Sequence, residues 1–350
     1  MSYRHVVVTR FGGPEVLEVV EDRLPEPRYD EVRVRVLAAG VSFGDVLMRA
    51  GALPESPKPP FTPGYDIAGV VDKLGEGVAS PALGQMVVAF PKDLGGYAEF
   101  VCVPAPLLVP VPDTLAPAAT AAAALNYFVA YQMLHRIAKV QAGQRILVHG
   151  AAGGVGTALL ELGALAGLEV YGTASKSKHD LVTQLGAVPI DYREEDFVAA
   201  VRRRPAGARR DGKRTRGGVH AAFDAIGGTN FWRSYRSLAP GGRLVAYGVS
   251  RSIKNARRNR AVAVSSFLLV KLLGAAPAGR RAFFYTADSL SKRHPQSYRE
   301  DLAAVVDLLK QEKIAPVVAK SLPLEEAAQA HELLEGSSVR GKIVLVCAEP

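Results

Sequence analysis

Cysteine is almost absent: Cys102 and Cys347 are the only two in 350 residues. Two cysteines exclude a disulfide framework and a cysteine-rich zinc lobe, and they suit a reducing, cytoplasmic setting. The first residues, MSYRHVVVTRFGG, carry charges and no apolar h-region, so no signal peptide is expected. No long membrane-spanning run is present. The most apolar stretch, AVAVSSFLLVKLLGAAPA (261–278), is short and holds Lys271, which suits a buried or interface helix. Internal repeats are also lacking.

The net charge of +9 is unevenly placed. Residues 202–216, RRRPAGARRDGKRTR, hold eight Arg/Lys against one Asp, and 251–260, RSIKNARRNR, add five more. Without these two segments the chain is slightly acidic, so the basic character belongs to them alone. The first reads as a long exposed loop. It lacks interleaved aromatics and any binding module, so nucleic acid is not the expected partner.

What is present is a hydrophobic fraction of 48%, enough for a well-buried core and two domains. Up to residue 110 the texture is strand-like: EVRVRVLAAGV (31–41) alternates like a half-buried strand, and IAGVVDKLG (67–75) and MVVAF (86–90) are short β-rich runs. Residues 115–140 are helical in composition. From 144 strands and helices alternate, which implies parallel βαβ units.

Within that alternation lies LVHGAAGGVG (147–156). Ala151, Gly153 and Gly156 give A-x-G-x-x-G, with Gly154 and Val155 between, after a strand and at the start of a helix. This is the context of a pyrophosphate-binding turn. Gly153 lets backbone approach a phosphate, and Gly156 lets helix and strand pack closely. A ligand-free βα turn is the alternative. An NAD site places a carboxylate about 20 residues further on. Here Thr173 stands near that place, followed by Ser175 and Lys176, with no acid before Asp180. Hydroxyls and cations suit a 2′-phosphate and therefore NADPH; a solvated helix start is the alternative.

Seven stretches, AAGVSFGDVLMRAG (38–51), PGYDIAGVVDKLGEGV (63–78), GGYAEFV (95–101), VQAGQRILVHGAAGGVG (140–156), LGAVPIDY (185–192), FDAIGG (223–228) and SSVRGKIVLV (337–346), together resemble the zinc-free branch of the medium-chain dehydrogenase/reductase superfamily, the quinone oxidoreductase family. LNYFVAYQML (125–134) and GTASKSKHD (172–180) look most like its synaptic-vesicle membrane protein subgroup. The resemblance implies an α/β protein: a Rossmann-type doubly wound parallel sheet domain over 125–289, inserted into a GroES-like β-barrel catalytic domain over 1–124 and 290–350. It also implies a homodimer through the edge of the cofactor-domain sheet.

Zinc-binding members place their ligands where this chain has Ser42, Tyr65 and Leu125, which do not make a zinc set. No metal is expected. Hydride from NADPH can add to an α,β-unsaturated carbonyl (enone or enoyl) or a quinone, with hydrogen bonds stabilising the oxyanion. Tyr65, at a former ligand position, is the candidate donor to the carbonyl oxygen; a pocket-lining role is the alternative. Ser42 replaces a family Asn that contacts the nicotinamide ribose or substrate. Phe43, Asn126 and Tyr127 are candidate pocket residues, with helix packing an equal reading for the last two. Asp45 and Asp66 read as structural carboxylates accepting backbone N–H bonds, and His149 as a core histidine. The resemblance assigns further cofactor contacts to Tyr192, Gly248, Val249, Phe284, Tyr285 and Lys342. The alternative function is an NADPH-binding protein with a membrane-surface or interaction role and little turnover.

Overall fold

The computed structural model describes residues 1–53, 55–91, 93–203, 217–250, 253–254, 257–258, 260–276, 279–287 and 295–348. Residues 204–216 of the first basic segment and five of the ten in the second therefore lie outside the described residues. The chain forms two compact units: Met1–Phe128 with Asn255–Arg258 and His294–Pro350, and Val129–Lys254 with Asn259–Arg293.

The first unit holds β1 (Ser2–Val8), β2 (Leu17–Arg23), β3 (Glu31–Val41), α1 (Phe43–Arg49), β4 (Ile67–Leu74), β5 (Met86–Ala89), β6 (Phe100–Pro104) and β7 (Val109–Pro110). Helix α2 (Pro117–Tyr131) leads onward, and a wider-wound turn, Gln132–Ala138, extends it.

The second unit is a regular alternation: β8 (Arg145–His149), α3 (Gly154–Leu165), β9 (Glu169–Ala174), α4 (His179–Gln184), β10 (Val188–Asp191), α5 (Phe197–Arg203), β11 (Val219–Asp224), α6 (Thr229–Ser237), β12 (Leu238–Ala246), α7 (Arg260–Ala275) and β13 (Arg281–Phe284). The chain then returns to the first unit with α8 (Pro295–Lys310), β14 (Val318–Pro323), α9 (Ala327–Glu335) and β15 (Lys342–Val346).

In the second unit the strands run parallel in the order β10-β9-β8-β11-β12-β13. β8 is buried along its whole length, as expected of an apolar strand covered on both faces. The strand order reverses direction between β8 and β11. In open α/β sheets ligands bind outside the carboxyl ends of the strands at such a switch point.

In the first unit the order is β14-β15-β3-β4-β5-β7, with β6 also paired to β3. β3 is the central strand, bonded to β4 along one edge and to β6 and β15 along the other. The alternation of Arg33 and Arg35 predicts a half-buried strand, but β3 is mostly buried. Arg33 is tolerated there because Asp72 at 2.5 Å and Glu26 at 3.2 Å neutralise it. The core packs Val32, Val34, Val36, Ile67, Val87, Ile343 and Leu345 with Tyr97. Among the described residues no helix is long and apolar enough to cross a membrane.

Candidate functional site

The glycine turn between β8 and α3 sits at the switch point. Gly150, at φ +64°, turns the chain as a residue with a Cβ rarely does, and Gly153 N donates to Gly150 O at 2.9 Å. Ala151 N donates to Thr173 O at 3.1 Å, tying the turn to β9. A Cβ on Gly156 would lie 2.2 Å from Gly150 O, and one on Gly172 would lie 2.6 Å from the Ala151 methyl. Two bare positions thus bring helix, turn and strand together. Gly153 caps α3 without a side-chain bond. The first-turn N–H groups of Gly154, Val155 and Gly156, which a helix cannot satisfy internally, form a donor set suited to a pyrophosphate. Gly156→Ala forces backbone apart. We expect it to destabilise the second unit by about 1–3 kcal/mol and to weaken dinucleotide binding; urea denaturation and fluorescence titration check both.

At the end of β9 successive side chains point to opposite faces. Gly172 faces Ala151 and Val182, while Thr173 turns to His149, its Oγ1 lying 3.0 Å from His149 Nδ1. His149 Nε2 is 2.9 Å from Ser234 Oγ, and Ser234 donates to Asp224 Oδ2 at 2.6 Å. Asp224 also accepts from Asn230 Nδ2 and Ile226 N, both at 2.8 Å. Burial lowers the His149 pKa, so the ring is a neutral core histidine bonded on both nitrogens. Thr173 is 3% exposed and its hydroxyl belongs to this chain of bonds. Ser175 is half-buried and precedes a 3-10 turn, Lys176–Lys178, with Lys176 exposed to solvent. Tyr192 is also exposed, with the Arg193 guanidinium 5.7 Å from its ring centre.

The carboxyl ends of β11 and β12 abut. A Cβ on Gly227 would meet Val249 Cα at 3.2 Å, and one on Gly248 would meet Ala225 at 3.0 Å. Val249 is buried. Phe284 packs on Phe267 with ring centres 4.0 Å apart, and the buried Tyr285 hydroxyl donates to Gln132 Oε1 at 2.7 Å. Tyr285 thus anchors the start of the unit to its last strand.

In the first unit Ser42 and Tyr65 are organised by one carboxylate. Ser42 caps α1 in a reciprocal capping box with Asp45. Asp45 Oδ2 accepts from Ser42 N at 2.9 Å and Ser42 Oγ at 2.7 Å, while Oδ1 accepts from Gly64 N at 2.9 Å. Gly64 immediately precedes Tyr65. At φ +108° it lies on the 96–97 backbone, where a Cβ would stand 2.6 Å from Tyr97 N. Burial pushes the Asp45 carboxyl up to about 6, opposed by the Ser42 hydrogen bonds and the Lys342 charge.

Tyr65 is half-buried, and its ring fills the space left by Gly44, whose Cβ would lie 3.0 Å from a ring carbon. The Tyr65 hydroxyl makes no hydrogen bond among the described residues. Burial, then the charges of Asp45 and Glu55, hold its phenol well above the ordinary range. It is a protonated donor without a partner among the described residues. Phe43 begins α1 half-buried, and Asn126 and Tyr127 are buried on α2. Lys342 is buried as well, with Nζ 3.4 Å from both oxygens of the fully buried Asp66, which also accepts from Leu125 N at 3.4 Å. Gly40 makes room for this pair: a Cβ there would lie 2.4 Å from Asp66 Oδ2 and 2.5 Å from the Lys342 side chain. Among the described residues no group of three or more His, Cys, Asp or Glu is placed to hold a metal ion.

A parallel sheet of this order with a glycine turn at its switch point, joined to a mainly antiparallel unit, defines the architecture of a dinucleotide-dependent dehydrogenase. Family profiles agree. Residues 28–113 match the alcohol dehydrogenase GroES-like domain, and 185–345 match the zinc-binding dehydrogenase domain. The quinone oxidoreductase of Rattus norvegicus is 32% identical over 347 residues, covering 98% of this chain and 97% of that protein. The crystal structure of human synaptic vesicle membrane protein VAT-1 homolog-like protein superposes with a TM-score of 0.81 at 28% identity, covering 100% of this chain and 99% of that one. The Escherichia coli quinone oxidoreductase complexed with NADPH gives 0.82 at 26% identity, with 98% and 99% covered. The chain belongs to the quinone oxidoreductase family, with a GroES-like and a Rossmann domain.

Sequence reasoning singled out Asp45 and Asp66 as structural but missed what they organise. It also missed Tyr97, Ser234 and His331. None carries a local signal, because their partners are 10 to more than 200 residues away.

Proposed function

We propose that this protein is an NADPH-dependent reductase that adds hydride to an α,β-unsaturated carbonyl or a quinone without zinc. The observation that carries the reading is Tyr65: a phenol that stays protonated, is half-buried and has no hydrogen-bond partner among the described residues. Such a group is placed to donate to a carbonyl oxygen as negative charge develops there. Ser42, Tyr65 and Leu125 do not fit zinc: the Ser42 hydroxyl is engaged by Asp45, and Leu125 offers no side-chain ligand. The glycine turn fits a pyrophosphate through the α3 N–H groups. Ser175, Lys176 and Tyr192 would hold the 2′-phosphate. The backbone of Gly248 and Val249 would border the nicotinamide. Bound NADPH supplies the hydride; the protein's residues bind, orient and hydrogen-bond.

A homodimer fits the same reading. β13 is the edge strand of the second unit's sheet. Nearby, Val264, Leu268 and Leu272 make an exposed apolar stripe on α7.

The cofactor choice is tested by titrating the protein and Lys176→Glu with NADPH and NADH. We expect the parent to bind NADPH at least tenfold more tightly than NADH, with Lys176→Glu weakening NADPH by roughly 10-fold or more, the value of one charge-assisted hydrogen bond. Equal or tighter binding of NADH overturns the assignment.

A further inference from the structure

A longer buried chain runs behind the Asp45 carboxylate. Arg49, on the last turn of α1, is 0% exposed. Its guanidinium pairs with Glu335 at the end of α9, donates Nε to Gly12 O at 3.2 Å, and places Nη1 3.1 Å from His331 Nδ1. His331 Nε2 lies 3.2 Å from the Tyr97 hydroxyl, and burial, then the charges of Asp45 and Asp66, keep the Tyr97 phenol protonated. His331 and Tyr97 are both 0% exposed.

The donors and acceptors fix a direction. A guanidinium only donates, so His331 Nδ1 must accept. The neutral ring then carries its proton on Nε2 and donates to Tyr97 O. The Tyr97 O–H proton is then not needed by His331 and stays on a phenol held protonated by burial and the Asp45 charge. Asp45 in turn accepts from Ser42 N, Ser42 Oγ and Gly64 N. Each member has one role available, and none can reverse without leaving a buried group unpaired. The same segment is clamped by backbone: Tyr97 N donates to Pro63 O at 3.0 Å, and Gly96 N to Gly64 O at 3.1 Å.

We propose that Tyr97 and His331 are positioning residues for the candidate site. The chain Arg49–His331–Tyr97 fixes Tyr97, whose backbone clamps Pro63 just before Tyr65, while Asp45 holds Ser42 and Gly64 N of the same segment. The proposal rests on the reading of Tyr65 as the proton donor. It makes α9, about 270 residues further along the chain, part of the site's support. It also assigns Ser42 a polarity. The Ser42 hydroxyl proton is committed to Asp45 and one lone pair to Asp45 N at 3.2 Å, so Ser42 Oγ is left to accept from a ligand rather than to donate.

The test uses the full-length protein labelled with 3-fluorotyrosine. The Tyr65 fluorine resonance is assigned by its loss in Tyr65→Phe. Tyr97→Phe removes one oxygen and keeps the ring. It is expected to shift or split the Tyr65 resonance and to lower kcat about 10-fold or more, while the NADPH Kd changes less than about twofold. His331→Gln, which can still accept from Arg49 and donate to Tyr97, is expected to keep the Tyr65 resonance in place. His331→Leu is expected to displace it. An unmoved resonance in Tyr97→Phe overturns the proposal, as does an equal displacement in the Gln and Leu variants. Should Tyr65→Phe keep full activity while Tyr97→Phe still moves the Tyr65 resonance, the proton-donor reading fails and the positioning role stands.

Discussion

Tyr65→Phe is expected to lower kcat by roughly 100-fold or more, within the range that a positioned proton donor contributes. Phenylalanine keeps the ring over Gly44 and removes only the hydroxyl. That hydroxyl bonds to nothing among the described residues, so its loss leaves no buried group unpaired. The thermal midpoint and the NADPH Kd should therefore stay at parent values while single-turnover hydride transfer slows. This separation is the signature of a group acting on the substrate rather than on the fold. Because the phenol is held protonated, its titration should not appear in the pH–rate profile below about 10, the ordinary tyrosine value. Activity within threefold of the parent would remove Tyr65 from the chemistry.

Lys342→Met is expected to destabilise the GroES-like unit by about 3–5 kcal/mol, the usual cost of breaking one side of a buried ion pair. Asp66 is 0% exposed and Lys342 3% exposed. Without the ammonium, the carboxylate keeps, among the described residues, only the distant Leu125 N–H. Burial already raises the Asp66 pKa against the opposing Lys342 charge, so the variant raises it further. A carboxyl whose folded pKa is raised binds its proton more readily folded than unfolded. The stability it gains on protonation is complete below the unfolded value, about 3.9, and is lost as pH rises through the folded one. The deficit of Lys342→Met should thus shrink as pH falls from 7 toward 4. The double variant Lys342→Met/Asp66→Asn should recover much of it at pH 7. Urea denaturation across pH checks both. A pH-independent deficit, or none, would mean that the pair contributes nothing by its charge.

The glycine turn and the alternation after residue 144 were legible because both are local. Gly153, Gly156 and Gly172 each answer a contact within a few residues or across one neighbouring strand, and Gly150 a left-handed turn. The strand order around β8 follows from parallel crossovers feeding one sheet. What was not legible depends on partners brought together by the return of the chain. Arg49 in α1 and His331 in α9 meet across 282 residues of sequence, and each alone looks like an ordinary charge on a helix. The alternation of β3 misled for a related reason. Arg33 marks an exposed face until Asp72 and Glu26 fold over it. The resemblance placed Lys342 among the cofactor contacts, whereas its ammonium lies on Asp66 in the GroES-like unit. Thr173 stands where the motif's spacing looks for a ribose contact, yet its hydroxyl is turned to His149. Ser175 and Lys176 are left as the polar groups that follow β9.

The most direct measurement is NADPH oxidation by the purified protein, treated with a metal chelator, against one quinone and one enone, with NADH run in parallel. The proposed function requires turnover with NADPH on at least one acceptor, unchanged by the chelator and much weaker with NADH. Tight NADPH binding with no oxidation on either acceptor, or turnover that the chelator abolishes and zinc restores, would contradict it.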